Sequence, residues 1–133
     1  MSEFAKYIGL PWEAGACGPD KYDCMSLVVR VQSEHFGIKM SDIVVPDYGD
    51  EHGIAELMSG HVELANWERV DKPKHGDIVF LKHPKRHFGV WLNLDGGGVL
   101  HCATGIKTVF TKDSAWHVSG FGRRIYYRHR SKL

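Results

Sequence analysis

Lys21-Tyr22-Asp23-Cys24-Met25-Ser26-Leu27-Val28-Val29-Arg30-Val31 is the stretch on which the reading of the chain turns. It opens with turn residues and then sets Cys24, Leu27, Val28, Val31 and His35 at helical spacing. Cys24 therefore belongs to the first turn of an amphipathic helix, which Gly37 ends. Asp23 is placed to cap it, because a carboxylate there accepts hydrogen bonds from first-turn amides. Those amides and the helix dipole favour negative charge nearby, so a thiol in this position ionises more readily. The thiolate is the nucleophilic form of cysteine. Free Cys is also among the most buried residue types, so the same position suits a core side chain.

Upstream, Phe4, Tyr7 and Ile8 form a short helical stripe behind Ser2, closed by Gly9, Leu10 and Pro11. Trp12 follows. Residues 13–21, with Gly15, Gly18 and Pro19, read as a loop that delivers the chain to the Cys24 helix. Downstream, residues 40–51 carry Pro46 and Gly49 and read as irregular, and Ile54, Leu57 and Met58 suggest a short amphipathic helix. Beyond Trp67 the character changes. Residues 78–81, 88–94, 99–103, 109–111 and 121–127 are short runs of β-formers separated by turn residues, among them Pro84 and the segment 95–98. A helical front and a meandering back predict an α+β domain with an antiparallel sheet, since strands joined by short turns run in opposite directions.

With 133 residues, 43% hydrophobic, 25% charged and a net charge of +1, the chain fits one domain, 1–133, with a core large enough to fold alone. The near-neutral balance supplies no overall field for nucleic acid. The closing Arg123, Arg124, Arg128, His129, Arg130 and Lys132 are locally basic and read as a solvated tail. No apolar run of about 18 residues predicts a membrane span. The opening residues lack the charged-then-apolar layout of a secretion signal, so export by the general route is not expected. Cys17, Cys24 and Cys102 are an odd count in no paired spacing, which argues against a disulfide framework.

The back half offers two imidazoles to serve the thiol. A general base for a thiol needs an imidazole in reach, and that imidazole needs a polar partner on its other nitrogen to hold its tautomer. His87 as base and His101 as orienter fill these roles. A tight turn at Gly96 and Gly97 places His101 opposite about Leu92, so pairing it with His87 requires a bulge or a longer asymmetric loop. The other seven histidines, His35, His52, His61, His75, His83, His117 and His129, lie beside charges or in loops and read as surface. Zinc is the competing use of Cys24, His87, His101 and Cys102. No pair has knuckle spacing, and His101 and Cys102 are strand neighbours pointing to opposite faces, so no metal is expected. Met25 and Trp91 read as core.

Taken together, Gly9-Leu10-Pro11-Trp12, Tyr22-Asp23-Cys24, Gly76-Asp77-Ile78-Val79-Phe80, His87-Phe88-Gly89-Val90-Trp91-Leu92 and Leu100-His101 resemble the NlpC-type cell-wall cysteine peptidases of the papain-like superfamily. The resemblance covers nearly the whole chain. The Gly9 to Trp12 opening and the closing Ile125-Tyr126-Tyr127-Arg128-His129 resemble the version found in bacteriophage tail-tip proteins. The resemblance implies a papain-like fold, with N-terminal helices packed on a central antiparallel sheet. It implies Cys24 as nucleophile, His87 as base and His101 as orienter, with no cofactor. Asp23 matches the acidic residue that meets a substrate ammonium in relatives cutting near a free amino terminus, and Trp12 stands where many relatives have a Tyr at the substrate site. The implied substrate is the peptidoglycan stem peptide, commonly cut between γ-linked D-glutamate and meso-diaminopimelate. Implied partners are tail-tip or hub proteins, with no nucleic acid and no membrane insertion. The implied location is the virion, made in the host cytoplasm and acting on the periplasmic wall. Met25 and Ser26 replace the Ser and Gly that many relatives carry after the Cys, and Trp12 lacks a phenol hydroxyl for an oxyanion. Those departures leave open a structural tail-tip component of the same fold that does no chemistry.

Overall fold

The computed structural model describes residues 3–40, 66–81, 87–102, 107–119 and 122–133. Helix α1 spans Cys24–His35. The strands are β1 (Trp67–Val70), β2 (Ile78–Leu81), β3 (His87–Leu92), β4 (Gly98–His101), β5 (Val109–Lys112) and β6 (Arg124–His129). They form one sheet in the order β1-β6-β2-β3-β4-β5, with every neighbouring pair antiparallel. The architecture is α+β with an antiparallel sheet. The expected helix at Ile54, Leu57 and Met58, and most of the irregular segment before it, lie outside the described residues, as do His52, His61 and His83.

Every residue of β2, β3 and β4 is buried, so both faces of the sheet centre are covered. Alternation along the strands divides the core into two layers. Phe88, Val90, Leu92 and Leu100 pack with Leu27, Val28 and Val31 of α1 on one face. Val79, Leu81, Trp91 and Val99 pack with Trp116 on the other, where residues Asp113–Val118 form a 3-10 helix. Trp91 is core, and its indole donates to Asp113 Oδ2 at 3.1 Å.

Three details differ from the sequence reading. The N-terminal stripe is only a 3-10 turn, Ala5–Tyr7, which buries Phe4 and Tyr7 but leaves Ile8 exposed. Strand β1 has no run of β-formers: Trp67 is its one fully buried residue, and pairing with β6 makes it a strand. The basic tail is not simply solvated, because β6 carries Arg128 inside. Its Nε donates to Asp77 Oδ1 at 3.0 Å and its Nη2 to Asp77 Oδ2 at 2.7 Å and to the Lys72 carbonyl at 3.0 Å. Asp77 Oδ2 also accepts from the Lys74 amide at 2.7 Å. This two-pronged pair raises the guanidinium pKa above its ordinary value, the hydrogen bonds to Asp77 being the main cause.

The residue before Asp77 ties the helix to the sheet. Gln32 of α1 donates through Nε2 to the Gly76 carbonyl at 2.7 Å. Gly76 has φ +95°, and a Cβ there would lie 2.7 Å from the Phe36 ring, so only glycine lets α1 end this close to β2. Removing one partner of the Asp77 pair leaves the other charge buried and uncompensated. Arg128→Ala is therefore expected to cost about 3 kcal/mol in urea denaturation, and Arg128→Ala with Asp77→Ala to cost less than the two single changes summed.

Candidate active site

The turn that presents Cys24 is built by its neighbours. Asp23 caps α1: its Oδ1 accepts from the Ser26 amide at 2.7 Å, and Ser26 Oγ accepts from the Asp23 amide at 3.0 Å. This is a reciprocal capping box with Ser in the usual Glu or Gln position. Ser26 Oγ also donates to the Ala16 carbonyl at 2.5 Å, and Asp23 Oδ2 accepts from the Gly15 amide at 3.3 Å. The cap thus also anchors the loop before the helix. Met25 is buried core, as expected. Cys24 has no exposed surface.

Trp12 is brought alongside. It forms a parallel bridge with Tyr22, the Tyr22 amide donates to the Pro11 carbonyl at 3.2 Å, and the Glu13 amide donates to the Tyr22 carbonyl at 3.1 Å. Gly9 and Leu10 are held to Thr108 by two backbone bonds of 2.8 and 2.9 Å. The half-buried indole therefore belongs to a braced segment two residues from the thiol's own.

The histidines meet through register. Residues 93–97 form a five-residue connection, not a tight turn at Gly96 and Gly97, and Leu92 pairs with Gly98. His101 then faces Gly89, not Leu92. His87 is the diagonal neighbour on the same face. Its Nε2 lies 3.0 Å from His101 Nδ1, with the two rings 5.2 Å apart and near parallel at 20°. Gly89 makes the approach possible, since a Cβ there would lie 2.9 Å from His101 Cβ and 2.7 Å from Val99 Cγ1. A third group, absent from the sequence reading, completes the line: His101 Nε2 lies 2.9 Å from Thr111 Oγ1 on β5. Val109 faces His101, so Thr111, two residues on, shares its face.

The thiol turn and the imidazole pair converge on one end of the sheet. Cys102, next to His101, donates through its thiol to the Tyr22 carbonyl at 3.8 Å, which places the entry to α1 at the end where β4 finishes and β3 begins. Alternation sets the rings on the face that carries Val99 and Trp116, whereas α1 covers the other. The thiol turn and the imidazole pair thus lie toward the same end of the sheet, with α1 and the two rings on its opposite faces. Cys102 itself points to the α1 face, and burial pushes its thiol pKa up. Cys17, Cys24 and Cys102 are all unbridged.

No protein-family model matches the chain, and no curated protein matches it. Among the described residues no three His, Cys, Asp or Glu side chains converge as metal ligands. A small surface cleft lined by Gln32, Phe36, His75 and Arg128 lies toward the C-terminal end of α1, about 12 to 18 Å along the helix from Cys24.

Burial is the main reason the His101 pKa falls, to about 3, with the charge of His87 adding to it. The ring is therefore neutral at physiological pH. In the unfolded chain it takes up a proton below about pH 6.5, and in the folded protein only near pH 3. Its contribution is full above the unfolded value and is lost as pH falls through that window. Thermal melts are expected to show a smaller loss of Tm between pH 7 and pH 4 in His101→Gln than in the unaltered protein.

Proposed function

We propose that the protein is a papain-like, NlpC-type cysteine peptidase that cuts the stem peptide of peptidoglycan, acting at a phage tail tip during cell entry. The observation that carries the reading is the 3.0 Å His87–His101 contact, at the sheet end to which the capped Cys24 turn is tied. A buried pair of imidazoles in hydrogen-bond contact suits a base held by an orienter.

In this mechanism the Cys24 thiolate attacks the amide carbonyl and a tetrahedral oxyanion forms. The Cys24 backbone amide, in the first turn of α1, donates to that oxyanion. His87 gives its proton to the leaving amine, the amine departs, and water hydrolyses the thioester with His87 as base. The bond is the D-γ-glutamyl–diaminopimelate amide implied by the resemblance. Both Asp23 oxygens accept a bond from the cap and the loop, which fixes the carboxylate in place, and each oxygen retains a lone pair for a substrate ammonium. Ser26, a departure from the family pattern, is accounted for by its place in the capping box.

Cys24→Ala is expected to reduce muropeptide release from purified sacculi, and cleavage of a γ-glutamyl-diaminopimelate peptide, to background with an unchanged circular dichroism spectrum. His87→Ala is expected to lower kcat by about a hundredfold to ten-thousandfold. Unchanged release from the Cys24 variant removes the peptidase reading.

One observation favours a second reading, a tail-tip structural part without activity: the Cys24 side chain is fully buried. Alkylation separates the two. Rapid modification of Cys24 near neutral pH that is lost in His87→Ala supports the enzyme, and an inert thiol supports the structural part.

A further inference from the structure

The His87–His101 pair does not end at His101. His87 on β3, His101 on β4 and Thr111 on β5 lie in one line across three strands, joined at 3.0 and 2.9 Å. Two facing ring nitrogens can hold only one proton between them, so each assignment on one ring dictates the next. His101 is neutral and carries a single N–H.

Two arrangements are available. In the first, His87 donates from Nε2 to His101 Nδ1, and His101 donates from Nε2 to Thr111 Oγ1. In the second, Thr111 donates its hydroxyl to His101 Nε2, and His101 donates from Nδ1 to His87 Nε2. The second leaves His87 unable to hold a proton on Nε2. Nε2 faces His101, so the peptidase reading assigns proton exchange with the thiol to Nδ1. An imidazolium formed there needs both of its N–H groups to donate, which only the first arrangement allows.

We propose that Thr111 is a positioning residue that fixes the tautomer of the His87–His101 pair, accepting the His101 Nε2 proton so that Nδ1 stays open to His87. The β-branched side chain suits this task, because few rotamers are open to its hydroxyl on a strand. Removing the oxygen leaves the His101 Nε2–H without its acceptor in a buried setting, and the proton moves to Nδ1. His101 then turns a donor toward His87 and opposes its protonation. The kinetic part of this proposal rests on the peptidase reading, and the tautomer part does not.

The test is nitrogen NMR of the ring nitrogens in histidine-labelled full-length protein at neutral pH, with His87→Gln and His101→Gln used for assignment. The unaltered protein is expected to carry its His101 proton on Nε2. Thr111→Val, and Thr111→Ala, which removes the same oxygen, are expected to shift it to Nδ1, and Thr111→Ser to restore Nε2. On peptide substrate, Thr111→Val is expected to lower kcat about tenfold to a hundredfold with little change in KM, and Thr111→Ser to recover it. Unchanged His101 ring shifts in both the Val and the Ala variant overturn the proposal. A tautomer shift in a protein whose unaltered form cuts no substrate upholds the role of Thr111 and removes the peptidase reading.

Discussion

The close passage of β3 against β4 at Gly89 is the constraint from which the rest of the site follows. With no side chain at Gly89, His101 lies flat across the neighbouring strand and comes within hydrogen-bond distance of His87. Any larger residue at that point meets Val99, the Leu100 carbonyl and His101 itself below 3 Å. The same register brings Leu100 and Cys102 to the opposite face, under α1. One pairing thus decides both which groups line the polar site and which pack against the helix that bears the thiol.

The helix side is organised around an equally economical device. Asp23 and Ser26 satisfy first-turn amides and, through Ala16 and Gly15, brace the loop that precedes them. Trp12 reaches the same place by backbone bonds to the Tyr22 segment and to Thr108. Positioning here is done by main chain and caps, which are stiff, rather than by long side chains, which are not. Fixed geometry of this kind suits groups that must meet within tenths of an ångström. It also holds Asp23, whose two oxygens each accept one bond from the fold.

What could be read from the sequence follows the range of the interaction. The Cys24 helix and its Asp23 cap were legible because both depend on residues within a few positions of each other. His87 and His101 were legible as a candidate pair by residue type, but their register turned on the length of the connection between strands, and three consecutive glycines permit several. Thr111 carried no local mark. Counting two residues past the partner of His101 finds it, and that partner is known only from pairing. Arg128 looked like one more charge in a basic tail because nothing nearby announces Asp77, fifty-one positions earlier. Strand β1 carries no local signature for the same reason, since its extended form comes from β6 and not from its own side chains.

Strand β6 lies between β1 and β2, although it is the last of the six to be synthesised. As the nascent polypeptide leaves the ribosome, the other strands can meet while a gap stays open beside β2, and Asp77 waits there with no guanidinium. Closing the gap completes the sheet and neutralises that carboxylate in one event. A product truncated before Arg124 should therefore have an open seam, which cellular quality control is equipped to recognise and destroy.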